Sequence, residues 1–292
     1  MKNVMHKMSA VGHWASLAGL SVVLAVALLG CGKQPERTAL EDKPSVVVGV
    51  NQFAPHPILD AVYRGMADRL AQEEGVELVT KNSNGDRVAC QQINEQFVQN
   101  RVTLIVALGT PAAQSAVAVS NGRIPVVFGA ITDPVGAKLA ESLERPGGNR
   151  TGTSNRWPFA QHVQLVRKLF PAATRVGALV NPAEANCEAG MRIIRAIVKD
   201  QGIVLVEIPI TGSADVVPAV GSMQGKVDVI LISPSNDLFS ALDALLGEAN
   251  RLGIPVVGGD ESAVSRGSLA TYGFSNEDVG TATAECVLAV LK

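Results

Sequence analysis

Val102-Thr103-Leu104-Ile105-Val106-Ala107-Leu108-Gly109-Thr110-Pro111-Ala112-Ala113-Gln114 decides the fold. Its first half is a continuous β-branched and aliphatic run with no polar alternation, as in a strand buried on both faces of a parallel sheet. Gly109 breaks the run. Thr110-Pro111 then places proline in the first turn of a helix, where its missing N–H costs nothing. A buried strand running straight into a capped helix is the unit of an α/β fold.

The same unit recurs along the chain. Apolar runs appear at Val46-Val47-Val48, Pro125-Val126-Val127, Val176 to Val180, Val229-Ile230-Leu231-Ile232 and Pro255-Val256-Val257. Between them, apolar residues step by three and four: Leu59, Val62, Met66 and Leu70; Cys90, Ile93 and Phe97; Met191, Ile194 and Ile197 or Val198. Strand–helix alternation predicts parallel sheets with right-handed crossovers.

The chain also repeats itself. Ile124 to Gly129 resembles Ile254 to Gly259, Val48 to Asn51 resembles Ala178 to Asn181, Glu74 to Val79 resembles Gln201 to Val206, and Val102 to Val106 resembles Val227 to Leu231. Four matches in the same order predict two similar lobes, with a break at Pro146-Gly147-Gly148-Asn149. The predicted class is α/β: two Rossmann-like lobes with parallel sheets joined by a hinge. In such lobes a small molecule binds beyond the carboxyl ends of the strands, in the cleft between them.

Composition narrows the function. The 292 residues carry 25 Lys+Arg against 27 Asp+Glu, a net charge of −2, a balance that argues against a nucleic-acid partner, which needs a basic face for phosphates. Aromatic residues are 4% of the chain, too few for broad base-stacking platforms. There is no G-x-S-x-G, G-x-x-x-x-G-K-[ST] or H-E-x-x-H motif. Gly221 to Lys226 falls one residue short of a phosphate loop and reads as a turn. An enzyme is not expected, nor are a cofactor or a metal.

The first thirty residues read as an export signal. Lys2 and Lys7 form a basic start, Trp14 to Gly30 is uncharged, and the run ends Leu28-Leu29-Gly30-Cys31. The alternatives are plain secretion and an uncleaved anchor at the short end of the spanning range. The Leu-Leu-Gly-Cys ending resembles the lipobox of bacterial lipoproteins, in which the cysteine becomes the acylated N-terminus. Removing Lys2 and Lys7 takes the net charge from −2 to −4. Residues 31–44 are polar and read as a tether. With Cys31 lipidated, Cys90, Cys187 and Cys286 remain, an odd number at no metal-ligand spacing. They read as small buried hydrophobes. His56, between Pro55 and Pro57, reads as a loop residue with a surface or packing role, and His162 as a structural residue on a helix.

Polar turns follow six strands: Asn51-Gln52; Gly109-Thr110-Pro111; Thr132-Asp133-Pro134; Asn181 to Asn186; Ser233 to Asp237; and Asp260-Glu261. Each alone suits a helix cap. Free N–H groups at the helix start after Gly109 suit a carboxylate, and Asp133 suits an ammonium group or a turn cap.

These segments resemble the ABC-transporter substrate-binding protein family that includes tryptophan- and tyrosine-binding lipoproteins. The resemblance rests on His56 to Asp60, Gly109 to Gln114, Thr132 to Ala137, Arg145 to Asn149, Asn181 to Asn186 and Ala270 to Gly273, in family order across roughly residues 45–290. It implies a type I periplasmic-binding-protein fold with a signal peptide (1–30), a tether (31–44), one lobe from 45–153 with 274–292, and a second from 154–273. It also implies a small ligand, an ABC permease with its ATPase, a monomer, and a membrane link through lipid on Cys31. A ligand-presenting sensor lipoprotein of the same fold is the other reading. The implied ligand contacts are Gln52, Phe53, Gly109, Thr110, Pro111, Asp133, Asn155, Asn181, Glu184, Asn186, Ser235, Asn236 and Asp260. Thr110 would hold the ligand's acidic end, with Glu184, Asn186 and Asn236 closing over it. The family often carries Asp where this chain has Asn155, which would hold an ammonium by hydrogen bonds without charge. An aromatic or aliphatic amino acid is the first ligand expected, and a nucleobase or other small carboxylate the second. The family pattern also implies a further crossing to the second lobe beyond Lys292, where this sequence ends.

Overall fold

The computed structural model describes residues 46–292. The expected export signal, the lipidated Cys31 and the tether lie outside the described residues.

The first sheet has five parallel strands in the order β2-β1-β3-β4-β5. They are β1 (Val46–Gln52), β2 (Val76–Asn82), β3 (Leu104–Leu108), β4 (Val126–Ile131) and β5 (Arg150–Ser154). Helices α1 (Pro57–Leu70), α2 (Arg87–Gln99) and α3 (Thr110–Ser120) make the crossovers. Strands β3 and β4 are buried along their whole length, because helices cover both faces. Edge strand β2 carries Glu77, Thr80 and Lys81, which keeps its outer face wet.

After β5 the chain passes through α4 (Phe159–Leu169) into a second parallel sheet of order β7-β6-β8-β9. Its strands are β6 (Arg175–Val180), β7 (Val204–Pro209), β8 (Val229–Leu231) and β9 (Val256–Val257), with helices α5 (Ala185–Asp200), α6 (Val216–Gly221), α7 (Asn236–Ser240), α8 (Leu242–Arg251) and α9 (Glu261–Arg266). The four repeated segments of the sequence fall on β1/β6, β2/β7, β3/β8 and β4/β9, the same four positions in each sheet. The backbone N–H of Leu269 reaches Val256 O at 2.8 Å, and that of Gly258 reaches Ala270 O at 2.9 Å. These bonds lay residues 269–270 along the free edge of β9, where the first sheet has β5.

Helix α10 (Asn276–Leu291) returns to the first lobe and packs along α1, β4 and β5. Two glycines let α1 and α10 touch backbone to backbone. A Cβ at Gly65 would collide with the carbonyl oxygen of Glu277, and one at Gly280 with that of Val62.

Each lobe has its own apolar core. Three predicted helical stripes face inward, through Leu59, Val62, Met66 and Leu70 on α1, Cys90 and Phe97 on α2, and Met191, Ile194 and Val198 on α5. Cys90 and Cys187 are buried. Cys286 is only half-buried, because it sits on the outer part of α10, and all three are free thiols. No helix among the described residues is long and apolar enough to cross a membrane.

Candidate functional site

A cavity lies between the lobes, at the carboxyl ends of both sheets. Its free interior is about 30 Å³, and it opens to solvent at its mouth. The first lobe contributes the start of α1 (His56, Ile58, Leu59), Thr110 at the start of α3, and Ala130 and Thr132 at the end of β4. The crossing after β5 contributes Asn155 and Trp157. The second lobe contributes Asn186 from α5, and Pro234, Ser235, Asn236 and Phe239 from the β8–α7 turn and α7. Trp157 meets Phe239 edge-on with ring centroids 5.5 Å apart, and His56 lies 5.9 Å from Phe239. The wall is thus aromatic on one side, and its remaining groups are small and polar.

Four lining side chains carry a buried polar atom with no protein partner: Thr110 Oγ1, Asn155 Oδ1, Asn186 Oδ1 and Asn236 Nδ2. An unpaired buried polar group costs about 1–3 kcal/mol, so four around one cavity make it the candidate site for a polar small molecule. Their orientations follow from the bonds behind them. Asn186 donates its amide to Pro234 O at 2.7 Å, so its carbonyl must face the cavity. His56 Nδ1 accepts from Leu59 N at 3.4 Å, which leaves the proton on Nε2. That Nε2–H donates to Asn236 Oδ1 at 3.3 Å, so the Asn236 amide must face the cavity as a donor.

The wall is electrically neutral. Burial lowers the His56 pKa to about 4, so the ring is uncharged at neutral pH. Burial raises the Glu184 pKa to about 6. Both Glu184 oxygens, at 3.1 and 2.9 Å, accept from the backbone N–H of Asn236. Glu184 therefore pins the start of α7 and is absent from the lining.

The residues expected at the site divide accordingly. Thr110, Asn155, Asn186, Ser235 and Asn236 line the cavity. Gln52 braces the turn into α1, donating to Ala54 O at 3.0 Å and Asp60 Oδ1 at 2.6 Å. Phe53 is buried in the first-lobe core. Gly109 has φ +93° and turns the chain into α3, with Phe53 and Leu59 too near for easy addition of a Cβ. Pro111 faces a groove between α2 and α3. Asn181 bonds Asp237 Oδ2 at 2.5 Å and the Ala183 amide at 2.9 Å. Asp260 caps α9 and accepts from Asn276 Nδ2 at 2.6 Å, tying the second lobe to the start of α10.

Asp133 sits at the rim, 3.3 Å from Arg156 and 3.4 Å from Arg192 of the second lobe. Arg87 of α2 adds a second cross-lobe bond, to Ala183 O at 2.8 Å. Ile58, on α1, packs into the second lobe's core.

The sequence reading missed His56, Ile58, Leu59, Thr132, Trp157 and Phe239. His56 is no surface loop residue: it is 5% exposed and caps α1, because the prolines on either side hold it extended at the helix start. A signal for Trp157 existed, since it is the only tryptophan in residues 46–292 and stands at the crossing between lobes. His162 is on α4 as expected, bonding Tyr272 O at 2.7 Å to hold the returning segment.

Likeness to known proteins bears on this arrangement. The chain is 31% identical over 282 residues to the tyrosine-binding protein of Clostridioides difficile (strain R20291), covering 92% of this chain and 81% of that one. It superposes with a TM-score of 0.81 on the crystal structure of an ABC domain in complex with L-Trp from Streptococcus pneumonia, at 31% identity and 85% coverage of each chain. Against the ligand-free, open structure of a substrate-binding protein with adhesive properties from Clostridium difficile, the TM-score falls to 0.61 at 30% identity and 84% coverage of each. Similar identity with a lower score places the two lobes nearer the ligand-bound arrangement, in keeping with the cross-lobe bonds. The family model for ABC transporter substrate-binding proteins matches residues 47–292, and the chain belongs to that family.

Proposed function

We propose that the chain captures a neutral aromatic amino acid between its lobes and delivers it to the permease of an ABC importer. The observation that carries this reading is the set of four unpartnered polar atoms around an aromatic wall. Two are acceptors, Asn155 Oδ1 and Asn186 Oδ1, and suit an ammonium group. Two can donate, Thr110 Oγ1 and Asn236 Nδ2, and suit a carboxylate. The α3 amino end adds free N–H groups and a favourable dipole for the acidic end. A net-neutral zwitterion matches a wall without charge, and an aromatic ring matches Trp157 and Phe239. Relatives that bind tyrosine and tryptophan support the same class. The role is binding, without bond chemistry.

The Leu28-Leu29-Gly30-Cys31 ending supports an extracytoplasmic lipoprotein held to the membrane through Cys31. The permease and ATPase follow from family membership. Residues 45–153 with 274–292 form one moving lobe and 154–273 the other, the protein working as a monomer.

A thermal-shift panel of the twenty amino acids, nucleobases, sugars and small acids tests the reading. A ligand at a hundred times its Kd adds ~2.7 kcal/mol, a rise of roughly 5–10 °C. Tryptophan or tyrosine should give that rise. A rise from sugars or nucleobases alone would refute the amino-acid assignment.

A further inference from the structure

The cross-lobe bond from His56 gives that residue a role in ligand capture. Its ring bridges two functions. Nδ1 accepts a free amide of the first turn of α1, that of Leu59. Nε2–H donates across the cleft to Asn236 Oδ1. The second bond exists only while the lobes are together, because α1 and α7 belong to different lobes. With Asn236 Oδ1 held, its Nδ2 has one place to point, and that atom is an unpartnered donor in the cavity wall.

We propose that His56 is a positioning residue for ligand capture: on closure its Nε2–H takes the Asn236 carbonyl and so turns the Asn236 amide toward the ligand. This rests on the reading that the cavity binds a small ligand, and adds how closure and ligand contact are coupled. The ring has no spare protonation state. A second proton must go to Nδ1, which removes the acceptor for Leu59 N–H and puts a charge in a buried wall. Asp60, on α1, is the acidic group nearest in sequence; its carboxylate is bonded to Gln52, and its charge, like the Asn236 bond, pulls the His56 pKa upward by less than burial pushes it down. From the second lobe, Glu184 stands behind Asn236 and is bound to its backbone, and Asp237 is bound to Asn181. His162 lies beyond Trp157. None of these makes a hydrogen bond to the ring.

The sign follows. Burial in the closed form lowers the His56 pKa from 6.5 to about 4, and opening returns the ring to water. Between those values the closed form binds fewer protons than the open form. Acid therefore favours opening, by at most about tenfold per pH unit. Glu184 is buried within one lobe by its own α5 and α7 neighbours, so opening leaves its surroundings largely unchanged.

Calorimetric titration of the full chain with L-tryptophan and L-tyrosine, from pH 7.5 to pH 5, tests this on wild type, His56→Gln and His56→Ala. Wild-type affinity should fall at least about tenfold across that range. His56→Gln keeps a donor that does not titrate: it should bind within about threefold of wild type at pH 7.5 and stay nearly flat in acid. His56→Ala should be at least about tenfold weaker at pH 7.5. Unchanged binding by His56→Ala, or a wild-type pH profile in His56→Gln, would overturn the proposal. If neither amino acid binds any of the three, the ligand assignment fails and small-angle X-ray scattering of the ligand-free proteins decides the role of His56. Wild type expanding in acid while His56→Gln does not would support it, and identical curves would overturn it.

Discussion

Asn186 and Asn236 show how a side chain is aimed by what stands behind it. Each carboxamide spends one end on protein, a carbonyl for Asn186 and the His56 ring for Asn236, and presents the other to the cavity. Asn186→Ala should weaken amino-acid binding by about tenfold or more, since it removes one hydrogen bond to a charged group. The fold should lose about 1–3 kcal/mol as well, because the buried Pro234 carbonyl is left without its donor. Calorimetry beside a melting curve separates the two effects. At this scale the sequence was half legible. Thr110, Asn186, Ser235 and Asn236 line the cavity from turns at strand ends, where the topology puts ligands, and Asn155, which also lines it, is indicated by the family resemblance alone. Asp133, Asn181, Glu184 and Asp260 stand at equivalent places but spend their polar atoms on rim pairs, caps and the tie to α10. Nothing in a single sequence separates a polar group left free from one consumed by a neighbour distant along the chain.

Glu184 extends this to elements. Its carboxylate fastens the β6–α5 turn to the amino end of α7 from a buried position. Its pKa is raised from 4.5 to about 6, so the protonated form is favoured in the fold. That contribution is complete below pH 4.5 and is lost as pH rises through 6. Glu184→Gln should therefore gain stability relative to wild type on going from pH 4.5 to pH 7, by about 2 kcal/mol. Urea unfolding at the two pH values measures it, and a constant difference would contradict the burial argument.

Helix α10 offers a second test. At Gly280→Ala the new methyl meets the Val62 carbonyl and the two helices must part, at a cost of about 1–3 kcal/mol or more. The melting point should drop by several degrees. Element type was easy to read, because fully apolar strands and three-to-four stepping helices leave few alternatives. The close α1–α10 contact was not, because Gly65 and Gly280 lie far apart in sequence and reveal their function only when the helices meet.

In the whole molecule, the internal repeat predicted the architecture. Its four matches fall on the same four positions of two sheets, and both sheets place their carboxyl ends toward one cleft. The sequence could not show the closed arrangement, which rests on contacts between lobes: Ile58 in the second core, Arg87 on Ala183, and Arg192 on Asp133. The Arg192–Asp133 pair is solvent-exposed on the arginine side and worth under about 1 kcal/mol. Asp133→Asn should therefore lower ligand affinity only about two- to fivefold, and less at high salt. A loss approaching that of Asn186→Ala would move Asp133 from the rim to the site.

The central claim is that the cavity reads both ends of a zwitterion with neutral groups. Titration with L-tryptophan and L-tyrosine, each beside the amine that lacks its carboxylate and the acid that lacks its ammonium, tests this most directly. The account predicts that an intact amino acid binds and that each single-ended analogue binds at least about tenfold more weakly. An analogue that binds as tightly as the amino acid would contradict it.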